Sequence, residues 1–160
     1  MKLVQLAGLV FLAGAIINAG CGKPSSEDLL MGAAANGDVP EIERLLRSGV
    51  NVNCRSHSTD GTTPLIWAVW ERQAAAVEVL LAAGSDPNIA NGTGKTPLSL
   101  AIGGPQEDTS RIVKDLVLAG AKTEECKPLF ESLPQDDPKR IAFEHALKER
   151  AVKEGNKRKL

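Results

Sequence analysis

The sequence predicts an all-α protein, a solenoid of about four helix-turn-helix repeats with short protruding loops. Two recurrences and one bias in composition predict it. Thr63-Pro64-Leu65 returns as Thr96-Pro97-Leu98, 33 residues on. Leu45-Leu46-Arg47-Ser48-Gly49 returns as Leu80-Leu81-Ala82-Ala83-Gly84 and again as Leu116-Val117-Leu118-Ala119-Gly120, with the glycines 35 and 36 residues apart. A period of this size marks stacked units that bury their apolar faces against one another. The bias is a scarcity of rings: 160 residues hold no Tyr, three Phe and two Trp. A core drawn from Ala, Leu, Val and Ile suits thin helices packed closely.

Each piece of the unit has a local cause. Thr before Pro starts a helix, because the hydroxyl caps free amides and Pro at the first turn needs no donor. Leu65, Ala68 and Val69 then lie at i, i+3 and i+4, one apolar face. Val77, Leu80 and Leu81 repeat that spacing on a second helix, which Gly84 ends, since glycine best tolerates a left-handed cap. Polar stretches follow each such glycine (Val50–Asn53, Ser85–Asn88, Ala121–Thr123) and run to Asp60-Gly61 or Thr93-Gly94, which read as turns before the next Thr-Pro.

Thr-Pro-Leu, Ala at the next buried position, Val, Leu-Leu, Gly and then Asn resemble the ankyrin repeat over residues 28 to 123. Asp28 to Asn53 is a degenerate first repeat carrying Ala33, Ala34, Gly37, Ile42, Leu45, Leu46 and Gly49. Cys126 to about Glu154 is read as a last, atypical repeat. Pro128-Leu129 falls where Thr-Pro-Leu belongs, and Ile141, Phe143 and Leu147 form the apolar face of the final helix. Terminal repeats are atypical because one face meets water. The His that usually follows Pro-Leu in the family is Ile66 and Ser99 here; in the family it ties helix to loop, so these repeats are expected to be less rigid. Gly103–Asp108 carries about three extra residues and the loop around Arg55–Ser58 about two.

The first 20 residues read as a leader. Lys2 gives a positive start, Leu3–Ile17 is mostly apolar, and Asn18-Ala19-Gly20-Cys21 closes it with small residues. Ala19-Gly20-Cys21 resembles a bacterial lipobox, which implies lipidation of Cys21, although such boxes usually have Leu where Asn18 stands. Ordinary cleavage, or an uncleaved anchor, are the alternatives. Residues 21–27 form the lipidated Cys and linker, 28–154 the repeat domain and 155–160 a basic tail. A linker of that length reaches about 20 Å at most. By resemblance the protein sits in the cell envelope, lipid-anchored and facing the periplasm at the outer membrane, since Gly22 rather than Asp follows the Cys. Without a lipid it is soluble and periplasmic. The Lys- and Arg-rich end, Lys148 to Leu160, is read as a solvated helix end and frayed tail, with weak contact to anionic headgroups as the alternative.

Motifs of other chemistries fit poorly. Gly92-Thr93-Gly94-Lys95-Thr96 lacks the earlier Gly of a phosphate loop, whose place is held by Ile89. His57 and His145 have no partner at metal spacing. Cys54 with His57 could pair as nucleophile and base, but no orienting third group is visible. A formal net charge of -1 gives no basic face for nucleic acid. Cys54 and Cys126 hold nearly the same loop position two repeats apart, roughly 20 Å at the spacing of packed helices, so two free thiols are expected rather than a disulfide. No catalytic residue, cofactor or metal is assigned.

What the resemblance implies is binding of another protein. The family binds through loop tips and the exposed side of each first helix. Those positions here are Thr59, Asp60 and Thr62; Gly92, Thr93 and Lys95; Ala35 and Asn36; Trp70 and Glu71; Gly103 and Gly104. Trp67 falls at a packed position and Trp70 at an exposed one, where an aromatic is a favoured anchor for a partner. Small exported lipoproteins of this type resemble immunity proteins that neutralise a periplasmic toxic effector such as a lipase. The alternative is an assembly or stress-protection partner of an envelope enzyme, and an enzyme is the least expected.

Overall fold

The computed structural model describes residues 24–56, 61–104 and 109–157, with side chains to 155. The leader, Cys21, His57, Thr59 and Asp60 lie outside the described residues.

Eight α-helices run in sequence among the described residues: α1 Ser26–Asn36, α2 Val39–Arg47, α3 Pro64–Trp70, α4 Ala74–Ala82, α5 Pro97–Gly103, α6 Ser110–Leu118, α7 Lys127–Glu131 and α8 Pro138–Lys157. A short 3-10 turn, Glu124–Cys126, leads into α7. The helices stack in two rows. α1, α3, α5 and α7 pack successively in one, α2, α4, α6 and α8 in the other, and α6 against α8 is the most extensive contact. Four helix pairs laid side by side form the predicted solenoid.

The helix starts follow their caps. Thr63 Oγ1 accepts the Ile66 amide at 3.3 Å, and Thr96 Oγ1 accepts that of Ser99 at 3.3 Å. α1 begins two residues before the sequence boundary at Asp28. Ser25 caps it, accepting the Asp28 amide at 3.1 Å, while the Asp28 carboxylate accepts the Ser25 amide at 3.2 Å. This reciprocal box makes Asp28 the third residue of the first turn, so the helix takes over the end of the proposed linker.

Between the rows lies one continuous core of small aliphatics, including Ala34, Ile42, Leu45, Leu65, Ala68, Val77, Leu80, Leu98, Ile112 and Leu116. The degenerate first repeat therefore contributes core residues like the others. Cys54 and Cys126 are both buried and free, as the repeat spacing predicted.

The last repeat departs from expectation. Phe143 is buried and stacks on Phe130 with ring centroids 3.5 Å apart, and Leu147 packs partly against the core. Ile141, however, is 56% exposed. The inner face of α8 runs through Lys139, Phe143 and Ala146 at i, i+4 and i+7, and Ile141 lies some 200° round from either neighbour.

Two asparagines tie the repeats together. Asn53 Oδ1 accepts the Asp86 amide at 2.9 Å, and its Nδ2 donates to Gly84 O at 3.4 Å. One repeat on, Asn88 Oδ1 accepts the Lys122 amide at 2.7 Å and Nδ2 donates to Gly120 O at 3.4 Å. The carbonyls belong to the glycines that end α4 and α6, so each amide caps a loop of the following repeat.

Candidate functional site

Helices α3 and α5 and the loops beside them line a cleft of about 550 Å³. Trp70, at the end of α3, forms one side. It is 56% exposed and stacks on half-buried Trp67, centroids 5.9 Å apart with planes at 25°. Val69 and Leu100 extend the apolar surface, and Arg72 lines the same side.

The second side is the loop before α5. Asn91 Oδ1 accepts the Thr93 amide at 3.2 Å, the Thr93 hydroxyl at 2.8 Å and the Lys95 amide at 2.9 Å. Asn91 and Lys95 also close the loop's base, the Asn91 amide donating to Lys95 O at 3.0 Å. One amide side chain thus holds Thr93 and Lys95 at the cleft, where both side chains are exposed.

The third side is Gly103-Gly104, where the extra residues of the third repeat begin. The Thr109 hydroxyl donates to Ala101 O at 3.0 Å. Lys139, from the start of α8 and only 4% exposed, donates through Nζ to Gly104 O at 2.9 Å and Ile102 O at 3.3 Å. A cation at the carbonyl end of α5 complements the helix dipole and fixes this wall.

Of the residues expected to touch a partner, the structure brings together Trp70, Thr93, Lys95, Gly103 and Gly104. Glu71 and Asn36 are exposed but do not line the cleft. Thr62 is corrected: it is 3% exposed. Its carbonyl accepts the Ser56 amide at 2.9 Å, so Thr62 is a buried residue of the paired loop base and does not present its side chain to a partner. Arg72, Asn91 and Lys139 were missed. Arg72 carried a signal, since the first repeat has Gly37 at the same turn. Asn91 reads as an ordinary turn residue, and nothing near Lys139 points to α5.

Cys54 does not suit nucleophilic work. Burial, then the Glu27 carboxylate, push its thiol up to about 11, the opposite of an activated thiolate.

The Thr-capped helix pairs, their two rows and the asparagine links agree with the sequence comparison. A family model described as "Ankyrin repeats (3 copies)" matches residues 5–91 and 30–127. The chain belongs to the ankyrin-repeat family. Ankyrin repeats are protein-interaction modules, and a protein partner follows from the family.

Individual relatives match part of the chain. The mitochondrial disaggregase of Bos taurus is 47% identical over 68 residues, covering 42% of this chain and 10% of that protein. Ankyrin repeat domain-containing protein 40 of Homo sapiens is 34% identical over 84 residues, 52% of this chain and 23% of that protein. The human 2-5A-dependent ribonuclease is 41% identical over 73 residues, 46% and 10% respectively. This ankyrin-repeat chain thus aligns with about a tenth to a quarter of these relatives' lengths, and the relatives are eukaryotic.

Proposed function

We propose that this is an exported, lipid-anchored ankyrin-repeat protein of a bacterial envelope, which binds a partner protein in the Trp70 cleft and performs no catalysis. The cleft carries the reading. It presents an exposed indole backed by a second ring, between a finger held by Asn91 and a wall held by Lys139. A large, rigid aromatic on pre-ordered walls is what a binding hot spot requires. The polar lining is hydroxyls, one amide and two cations, groups suited to pairing with a protein surface.

The anchor rests on Ala19-Gly20-Cys21 after the apolar leader. A lipid on Cys21 would hold the stack within a few residues of the membrane, because α1 already starts at Ser26. The partner we propose is a toxic effector acting in the periplasm, such as a lipase, covered at the membrane it attacks.

Affinity capture from envelope fractions, with wild type and Trp70→Ala in parallel, tests the site. The expected result is a toxin-type protein held by wild type, with affinity lowered by more than about 2 kcal/mol in the variant. Equal capture by both removes Trp70 from the site. Recovery of a resident envelope enzyme instead favours an assembly or protective role. Radiolabelled palmitate incorporated by wild type and not by Cys21→Ser tests the anchor. No label on either rules it out.

A further inference from the structure

We infer that the end of α8 is a second membrane contact, a basic helical end that meets anionic phospholipid headgroups on the same side of the stack as Cys21. The contact stands the helices steeply on the bilayer and turns the Trp70 end of the cleft away from it. This rests on the proposed anchor.

Direction is the first argument. Helices joined by short turns run antiparallel, so helix ends collect on two sides of the stack. One side gathers the start of α1 and the ends of α2, α4 and α6. After burial, the charges that raise the Cys54 thiol are Glu27 and Asp28, which places the start of α1 beside the loop after α2. Asn53 reaches Gly84 after α4, and Asn88 reaches Gly120 after α6. Arg150 joins α8 to this side, donating from Nη1 to Ala121 O at 3.1 Å. The start of α8 lies on the other side, where Lys139 holds Gly104 at the end of α5. Trp70, the last residue of α3, shares that far side. A lipid on Cys21 therefore draws down the side on which α8 ends.

Reach is the second. α8 has 20 residues and its neighbour α6 has nine. Past Arg150 the described side chains have nothing packed over them: residues 151–155 are all exposed. Residues 151–157 extend about 10 Å beyond the Arg150 bond at the rise of an α-helix. The stretch from Cys21 to Ser26 spans about 17 Å at most, so both ends can touch one plane.

Charge is the third. Residues 148–160 hold six Lys or Arg and two Glu, in a chain with 19 basic and 20 acidic residues. Both Glu are engaged within the helix, Glu149 with Lys153 at 3.1 Å and Glu154 with Arg150 at 2.9 Å. Lys148 is exposed, and no described carboxylate pairs with it. The loop that Arg150 touches is balanced, Lys122 and Lys127 against Glu124 and Glu125. Val152, 72% exposed, adds an apolar side chain for the headgroup layer. Clustered Lys and Arg beside an anionic leaflet are drawn to it, and each strengthens attachment about 5-fold.

Hydrogen exchange on the full chain with phosphatidylcholine vesicles, with and without phosphatidylglycerol, tests this. Amides of residues 148–157 should slow at least about 5-fold when phosphatidylglycerol is present and recover in high salt, while residues 70–73 and 102–104 stay unchanged. The double variant Lys148→Glu, Lys157→Glu should lose the slowing and keep wild-type exchange in α6. Equal exchange on both vesicles, or slowing that the double variant retains, overturns the contact and leaves the Cys21 anchor standing. Slowing at residues 70–73 as well overturns the upright stance. Slowing by inorganic phosphate alone assigns the end of α8 to a soluble anion and overturns the proposal. A chain that floats with neither vesicle overturns the anchor and the contact together.

Discussion

Single side chains do two separate jobs here, joining repeats and filling the narrow core. Asn88 spans two loops with a 2.7 Å bond to the Lys122 amide and a longer one to Gly120 O. Hydrogen bonds contribute about 0.5–1.5 kcal/mol each, so Asn88→Ala is expected to lower stability by about 1–2 kcal/mol, read from the urea midpoint. Cys54 fills space. Folding raises its thiol from the usual value of 9.0 to about 11, through burial first, so the neutral thiol is the form the fold tolerates. Its contribution to stability is complete below about pH 9 and is lost as pH rises toward 11. Burial pushes Cys126 in the same direction. Both thiols should resist alkylation in the native protein near neutral pH and react once it unfolds. Rapid labelling under native conditions would show that one of them is exposed.

At the scale of elements, α8 shows how a helical period decides which residues count. Phe143 faces Phe130 across the repeat, and Ile141 faces water. Phe143→Ala is expected to cost about 3–5 kcal/mol, and Ile141→Gln to stay within about 0.5 kcal/mol. Denaturant titration of the pair checks the register: similar losses would place Ile141 on the inner face. Lys139 makes α8 part of the site as well as its cap. Its ammonium holds the carbonyls of Ile102 and Gly104, and bonds to charged groups contribute about 1.5–3 kcal/mol. Lys139→Met should lose about that much stability and also weaken partner binding, by loosening the Gly103-Gly104 wall. Stability lost with affinity unchanged would make Lys139 a structural clip alone.

At the scale of the whole molecule, the extensive contacts among the described residues join each helix pair to its neighbour. Stability is then close to a sum over neighbours, and damage stays near its origin. Amide hydrogen exchange on Phe143→Ala should accelerate in α6, α7 and α8 while α1 and α2 keep wild-type protection. Uniform acceleration along the chain would mean a single cooperative unit.

The sequence by itself determined the fold class, the helix pairs and most of their boundaries. Those follow from short-range rules: a Thr-Pro start, apolar spacing of three and four residues, a glycine stop. The resemblance to the ankyrin repeat placed Trp67 at a packed position and Trp70 at an exposed one, and the repeat spacing predicted two thiols too far apart to join. Where a boundary slipped, as at Ser25, a cap not weighed had taken over. Thr62 and Ile141 were misplaced because loop closure and helix phase each turned one residue against its apparent role. Only the tertiary structure decided the site. Trp70, Lys95, Gly104 and Lys139 come together from two repeats and the end cap, and no local pattern encodes which face of one unit lies against the next. That choice belongs to the stacking angle, set by the small side chains packed between the two rows.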